Sequence, residues 1–237
     1  MITLVGVGHI FDIAGQVRHV IRTARPASVG VELDPARYQA MLHPQDERQV
    51  PLPYRMLAAT QRRMAEEFSG KVGGEMLAAV EEAGCIGAGV LFIDTDANVM
   101  FQRLWSQMSL RERVLLMLSG FTGLFTSRKK VEKEMENFQK NEVAYMDAVG
   151  RSFPTVKRVL IDERNEKMAT AILQAEMTYG SVVAIIGDGH VEGIRAIIAR
   201  GDVEIIRLEA LQHMQRAEPM LQCTSDVTFQ YEVGGGA

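Results

Sequence analysis

Short apolar runs alternate along the chain with segments whose apolar residues recur at helical spacing. "ITLVGV" (2–7) is a continuous run of β-type residues, as in a strand buried on both faces. "DIAGQVRHVIRTA" (12–24) carries an apolar helical stripe that ends before Pro26. "SVGVEL" (28–33) predicts the next strand, and "DPARYQAML" (34–42) predicts the helix after it. This strand–helix–strand order favours a parallel pair with a right-handed crossover.

A similar unit lies near the other end of the chain. "SVVAIIG" (181–187) reads as a strand, "HVEGIRAIIAR" (190–200) as a helix and "VEIIRL" (203–208) as a strand. The two units form either a weak internal repeat or a chance similarity between βαβ units. "AGVLFID" (88–94) predicts one further buried strand.

Helical patterns fill the middle of the chain. They are predicted at 53–68, 74–84, 97–119, 128–149 and 153–178. The charged segment 128–149 is typical of an exposed helix or half of a helical hairpin. We therefore predict an α/β domain over 1–210, with a mainly parallel sheet and a helical insertion at about 97–178. A tail at 211–237 contains "VTFQYEV", a possible edge strand.

Composition limits the class of protein. The 237 residues are 47% hydrophobic and 24% charged, which supports a packed core. A net charge of −4 with scattered positive residues argues against a nucleic-acid surface. "VLLMLSGFTGLF" (114–125) is shorter than the roughly 20 residues of a membrane span, and the N-terminus lacks signal-peptide features. Cys85 and Cys223 show no pairing pattern, which favours the reducing cytoplasm.

The first and the last βαβ unit both contain Gly-x-Gly-His between strand and helix. The motifs are "GVGH" (6–9) and "GDGH" (187–190). Ligands bind at the carboxyl ends of parallel strands, where helix N-termini carry partial positive charge. If the two strands are neighbours, His9 and His190 face one crevice. Each histidine is then a candidate metal ligand, with capping or packing as the alternative.

Carboxylates end two other predicted strands. Glu32 follows "SVGV", and a charge at the end of a buried strand is rarely left unpaired. It is therefore a ligand, a general base or the partner of an arginine. Asp34 better fits a helix cap than a site residue. Asp94 and Asp96 follow "VLFI".

Two arginines are candidate partners for these carboxylates. Arg103 lies in the helix after the third predicted strand, and Arg164 lies in "IDERNEKMA". An arginine fork can clamp a substrate carboxylate or lock the carboxylates of the fold. The chain has neither a Walker A loop nor the glycine fingerprint of dinucleotide-binding folds.

Taken together, these motifs resemble the TraB/PrgY family, which is related to the TIKI and GumN proteins. The resemblance covers roughly residues 1–208 and implies a fold similar to the erythromycin-esterase and ChaN-like group. That group has a mainly parallel sheet with a large helical insertion. The matching pieces, in order, are "GVGH", "VELDPARYQAM", "GGEMLAAVEEA", "LFIDTDANVMFQRLW", "LIDERNEKMA" and "IIGDGHVEGI".

The resemblance also implies that residues from all of these motifs line one site. The implied positions are His9, Glu32, Glu75, Asp94, Asp96, Arg103, Glu163, Arg164 and His190. TIKI proteins are regarded as metal-dependent proteases, and TraB and PrgY proteins are linked to shutting down peptide pheromone signals. The chain departs from the family at Val7-Gly8, where Thr-Ala is usual, and at Asp188, where Ala is usual. The Asp188 carboxylate either joins the site or alters its metal preference.

The first hypothesis is a metal-dependent hydrolase acting on a peptide or on another amide, with a signalling peptide as one candidate substrate. His9 and His190 bind a divalent ion, and Glu32 is the third ligand. This donor set suits Mn, Co, Zn or Fe without choosing among them.

The remaining implied residues complete this mechanism. Glu75 or Glu163 accepts the proton of the attacking water. Arg103 and Arg164 stabilise the oxyanion or hold a substrate carboxylate, a binding role that Asp94 and Asp96 share.

Two other functions fit the same residues. The crevice could sequester a peptide or a haem without catalysis, since the distant resemblance to ChaN-like haem proteins allows it. The chain could also be a scaffold that forms a homodimer through its helical middle (108–150).

Overall fold

The computed structural model describes residues 1–8, 11–43, 73–123 and 148–220, with the backbone alone for 117–123. Several predictions lie outside these residues. They are His9, the helix at 53–68, nearly all of the helix at 128–149, and the edge strand in the tail.

The described part of the chain contains a five-stranded sheet. Its strands are β1 (Ile2–Val7), β2 (Ser28–Val31), β3 (Gly89–Phe92), β4 (Val182–Gly187) and β5 (Val203–Ile206). The strand order is β3-β2-β4-β1-β5, and every pairing is parallel. This confirms the predicted α/β class. β1 and β4 are neighbours, and Val7 pairs with Gly187 at their carboxyl ends.

Helices connect the strands. Those that lie wholly within the described residues are α1 (Ala14–Ala24), α2 (Pro35–Leu42), α3 (Gly74–Ile86), α4 (Ala97–Gln107), α5 (Leu110–Gly123), α6 (Pro154–Lys157), α7 (Glu163–Tyr179), α8 (Asp188–Ile198) and α9 (Leu208–Gln212). Asp34 caps α2 by accepting a 2.9 Å hydrogen bond from the Arg37 amide, as predicted.

Both faces of the sheet are covered. Alternate strand residues, among them Leu4, Ala184 and Ile186, pack with Met168 of α7 and Ile194 of α8 in one buried cluster. The strand residues between them face the other side because side chains alternate along a strand. There α1 and α3 pack against each other and against the sheet. Burial on both faces explains the continuous apolar runs of β1, β2 and β4.

Several element bounds differ from the predictions. The helical pattern at 97–119 is two helices, α4 and α5, because the chain leaves the helical conformation between Gln107 and Leu110. A π-helical turn (Arg158–Asp162) interrupts the predicted helix at 153–178. The helix α8 begins at Asp188, so His190 lies inside its first turn.

The chain divides into two compact units. The first comprises Met1–Asp96 and Asn165–Ala237, and the second comprises Ala97–Arg164. In the second unit Ser109 and Glu112 form a capping box at the start of α5. The Glu112 carboxylate also accepts hydrogen bonds from the amide and the hydroxyl of Thr155 in α6.

Two further findings bear on the setting of the chain. Cys85 is disulfide-bonded, so the expectation of unpaired cysteines is wrong there. The one other cysteine of the sequence, Cys223, lies outside the described residues. None of the helices in the described ranges has the length and apolar character needed to cross a bilayer. A cytoplasmic location stays a prediction.

Candidate functional site

The strand order creates a crevice at the carboxyl edge of the sheet between β2 and β4. After β2 the chain moves outward to β3, whereas after β4 it moves in the opposite direction to β5. Adjacent strands whose connections diverge in this way leave a gap above their carboxyl ends, the usual ligand site of open α/β sheets. Glu32 directly follows β2, and His190 lies in the first turn after β4.

Glu32 and His190 meet in this crevice. The His190 Nε2 atom lies 3.6 Å from Glu32 Oε1, and their side chains are only 11% and 6% exposed. The other carboxylate oxygen, Oε2, accepts a hydrogen bond from the Gly187 amide. The distance between Nε2 and Oε1 exceeds a hydrogen bond. It is close to the roughly 3.4 Å between two ligand atoms that share a tetrahedral ion at about 2.0–2.1 Å.

The second nitrogen of His190 is held by a side chain that the sequence analysis did not select. Its Nδ1 atom lies 2.7 Å from Asn165 Oδ1 at the start of α7. An amide oxygen only accepts hydrogen bonds, so Nδ1 is the donor. In the neutral imidazole Nε2 then carries a lone pair that faces Glu32.

Asp188 turns away from this pair towards the opposite side of β4. Its carboxylate accepts two hydrogen bonds from the Arg207 guanidinium, at 2.9 and 2.8 Å, and one of 2.8 Å from the Leu208 amide. To reach them it passes over β1 at Gly6, where a Cβ atom would lie 2.2 Å from Asp188 Oδ1. These contacts give Asp188 a structural role instead of a place beside His190.

Arg37 joins two of the predicted acidic residues. Its guanidinium donates to Asp34 Oδ2 at 2.6 Å and also to Asp94 Oδ2. Burial alone would lower the pKa of Arg37, but the neighbouring carboxylates of Asp94 and Asp34 raise that pKa above its ordinary value. Asp94 also accepts from the amide of Thr95. This network ties the carboxyl ends of β2 and β3 to α2.

Glu75 lines a cavity of about 290 Å³ in the first unit. It lies in the first turn of α3 and is 1% exposed. The cavity wall also contains the segment 11–14, which follows the first Gly-x-Gly-His motif, and the ion pair of Arg18 with Glu81. A buried carboxylate therefore opens onto a space that is also bordered by the segment 11–14.

The second unit brings together two other predicted residues. Arg103 forms a fork with Glu163, with nitrogen–oxygen distances of 3.0 and 3.3 Å. Arg158 approaches the same carboxylate at 3.4 Å. Arg164 donates to the backbone oxygen of Leu160 at 3.2 Å. Glu163 and Arg164 directly follow the π-helical turn, a feature often found at functional sites.

The structure therefore brings some of the predicted site residues into contact, whereas the roles of the others stay predictions. Glu32 meets His190, and Arg103 meets Glu163. Asp96 is half-buried in the segment between β3 and α4. Within the described ranges no three metal-binding side chains form a cluster, and His9 is not among those residues. The part of His9 in the site stays a prediction.

Three contacting residues were missed by sequence reasoning, namely Arg37, Asn165 and Arg207. Each had a local signal. Arg37 is three residues after the Asp34 cap, a spacing that favours helical ion pairs. Asn165 precedes Met168 and Ala169 on the buried stripe of α7, where a polar residue needs a partner. Arg207 ends a strand pattern with a charge.

Comparison with known proteins shows a family and a relative to which the chain is similar. A sequence model of the TraB/PrgY/gumN family matches residues 1–202. Among curated proteins the chain is similar to an uncharacterized protein of Methanocaldococcus jannaschii, with 27% identity over 225 residues. The alignment covers 87% of this chain and 56% of the relative, so the chain spans about half the length of that relative. The family match includes Glu32, Asn165 and His190.

Proposed function

The chain belongs to the TraB/PrgY/gumN family, and we propose that it is a metal-dependent hydrolase acting on a peptide or another amide. The observation that carries this proposal is the approach of His190 Nε2 to Glu32 Oε1 at 3.6 Å. Gly187 fixes the other oxygen of Glu32, and Asn165 fixes the other nitrogen of His190. Such outer contacts are typical of residues that bind metals.

The residues at the sheet edge suit a divalent transition metal. His190 and Glu32 would hold the ion together with His9, the remaining predicted ligand. Imidazole and carboxylate donors fit Zn, Mn, Co or Fe. A bound ion of this kind polarises a carbonyl group and lowers the pKa of its water towards about 7. The low exposure of His190 and Glu32 keeps bulk water away from both donor atoms.

Of the two candidate proton acceptors, Glu75 is the one that lines the cavity of the first unit. Both oxygens of Glu163 are engaged by the Arg103 fork. The wall of this cavity also contains the segment 11–14, which follows β1 in the chain. We propose that Glu75 takes the proton from the attacking water at its carboxylate.

Arg103 and Arg164 remain the proposed substrate-binding arginines, together with Asp94 and Asp96. In the described contacts Arg103 forms an ion pair with Glu163, and Asp94 forms an ion pair with Arg37. A substrate carboxylate would have to share these guanidinium groups, which have five donors each. The peptide substrate is proposed from the family resemblance, since TraB and PrgY proteins are linked to pheromone shutdown.

The test measures metal content and peptide cleavage in the same preparations. Purified protein is analysed for Mn, Co, Zn and Fe, then incubated with a mixture of short peptides and each of these ions. His190→Ala should lose at least about 100-fold in metal affinity, because loss of a ligand exceeds the cost of losing an outer contact. Cleavage should fall with it.

His213→Ala is the matched control, since His213 is exposed and follows the last residue of α9. The proposal fails if His190→Ala binds the same metal as strongly as wild type and cleaves as fast. Saturable peptide binding without turnover would instead support a sequestering protein, and a Soret band on haem titration would identify a haem binder.

A further inference from the structure

Asn165 occupies a buried position that the pattern of α7 would otherwise fill with an apolar side chain. It is 5% exposed and stands one turn before Met168 and Ala169, which pack in the core cluster. A buried amide is costly unless its polar atoms are hydrogen-bonded. Its oxygen lies 2.7 Å from His190 Nδ1. The buried Asn165 oxygen therefore has the His190 imidazole as its hydrogen-bond partner.

Gly193 makes room for that side chain. It is three residues after His190 in α8, and a Cβ atom there would lie 2.2 Å from Asn165 Nδ2 and 3.0 Å from its Cγ. Glycine is unfavourable inside a helix because it gains backbone freedom on unfolding. Its presence at this point allows the Asn165 amide to approach the α8 backbone and reach the His190 ring.

We propose that Asn165, seated against Gly193, is the positioning residue that determines which nitrogen of His190 is available to bind a ligand. The carboxylate of Glu32 faces Nε2 and would by itself draw the imidazole hydrogen to that atom. The Asn165 oxygen competes by accepting the hydrogen on Nδ1. With the hydrogen on Nδ1, the Nε2 lone pair points into the crevice.

This inference rests on the proposed function, because a lone pair at Nε2 matters when His190 binds a metal. It goes further by naming the residue that prepares His190 before any ion binds. It predicts that wild-type protein without metal already holds the Nδ1–H tautomer. Without the Asn165 oxygen, Glu32 would favour the Nε2–H tautomer, and the ligand atom would be blocked.

The test has two independent readouts on folded, full-length protein. Nitrogen-15 NMR of the metal-free protein, at a pH where imidazole is neutral, reports the tautomer of His190. Calorimetric titration with Zn²⁺ alone reports affinity. The variants are Asn165→Ala, Asn165→Asp and Gly193→Ala. Thr170→Ala, exposed on the same helix, and Gly201→Ala, where an added Cβ meets nothing within 4 Å, are the controls.

Asn165→Ala should switch His190 to Nε2–H and weaken Zn²⁺ binding by about 10- to 100-fold. Asn165→Asp keeps an acceptor oxygen, so it should retain the Nδ1–H tautomer and near wild-type affinity. Gly193→Ala should displace the amide and resemble Asn165→Ala. If Asn165→Ala does not fold, Asn165→Leu replaces it. Leucine preserves the side-chain volume without the acceptor oxygen, so it should show the same change in tautomer and Zn²⁺ affinity.

A wild-type Nε2–H tautomer, or an unchanged tautomer and Zn²⁺ affinity in Asn165→Ala, would overturn the inference while leaving the metal site itself standing. If wild type binds none of the four candidate metals, the proposed function fails instead. The NMR readout still decides whether Asn165 sets the tautomer in that case.

Discussion

The carboxyl end of β4 separates two acidic residues with opposite surroundings. On the β1 and β5 side, Asp188 is held by the Arg207 guanidinium and the Leu208 amide. On the β2 side, Glu32 receives the Gly187 amide on one oxygen and faces the His190 imidazole with the other. Both carboxylates are nearly buried, and both lie at one sheet edge.

The difference lies in the partner. A guanidinium keeps its charge at every relevant pH and matches a carboxylate with two parallel hydrogen bonds, so it satisfies Asp188 permanently. An imidazole is neutral or charged near physiological pH, and one of its nitrogens can bind a metal. A carboxylate facing a histidine can therefore exchange its partner, whereas one facing an arginine holds the fold. The carboxylates of Asp34 and Asp94, which both contact Arg37, likewise hold the fold.

The largest expected effect is on Zn²⁺ binding: a substitution at Glu32 should weaken it, whereas a substitution at Asp188 should lower the unfolding free energy. Glu32→Gln should weaken Zn²⁺ binding by at least about 100-fold. It should cost less than about 1 kcal/mol of unfolding free energy, because the Gly187 amide still finds an oxygen. Asp188→Asn should lose about 2 kcal/mol of unfolding free energy, since a charge-assisted fork becomes a neutral contact. Urea denaturation and Zn²⁺ titration measure the two effects.

The contrast between Glu32 and Asp188 is wrong if Glu32→Gln and Asp188→Asn change Zn²⁺ affinity and unfolding free energy in the same way. A Glu32→Gln protein as unstable as Asp188→Asn, with Zn²⁺ affinity intact, would make Glu32 one more structural carboxylate.

An intermediate effect is expected at Gly6, over which Asp188 passes. Gly6→Ala should destabilise by about 1–3 kcal/mol, because the new methyl group meets Asp188 Oδ1 and approaches Val191 Cγ2. In an Asp188→Ala background the cost should be smaller by about 1 kcal/mol or more, a coupling that a double-mutant cycle measures. Gly201→Ala should stay within about 0.5 kcal/mol of wild type. Strict additivity would mean that Asp188 does not cross β1 in solution.

The smallest effect concerns Glu112 in the second unit, a carboxylate held by neutral donors. Burial would raise its pKa, but hydrogen bonds from Ser109 and Thr155 lower the pKa of Glu112 below its ordinary value of 4.5. Its contribution to stability is therefore present above pH 4.5 and is lost as the pH falls through the lowered pKa. Glu112→Gln should cost about 1 kcal/mol at neutral pH. Denaturation curves at descending pH should show this difference shrinking; a difference that grows in acid would contradict the assignment.

Local patterns were enough for the elements and for part of the site. Apolar runs indicated five strands, and all five are present with small shifts at their ends. Asp34 was expected as a helix cap because a cap depends on residues three apart. Glu32 and His190 were chosen because polar residues that end buried strands collect at the ligand edge of a parallel sheet.

Partner choice needed the folded chain. The insertion of β4 between β1 and β2 joins segments more than 140 residues apart, and no local period encodes that order. Only this order brings Glu32 to His190 and sends Asp188 across Gly6 to Arg207. The Asn165 contact and the π-helical turn depend likewise on side-chain reach and helix packing. Sequence periodicity reports which face of an element is buried, whereas tertiary packing decides which polar groups meet there.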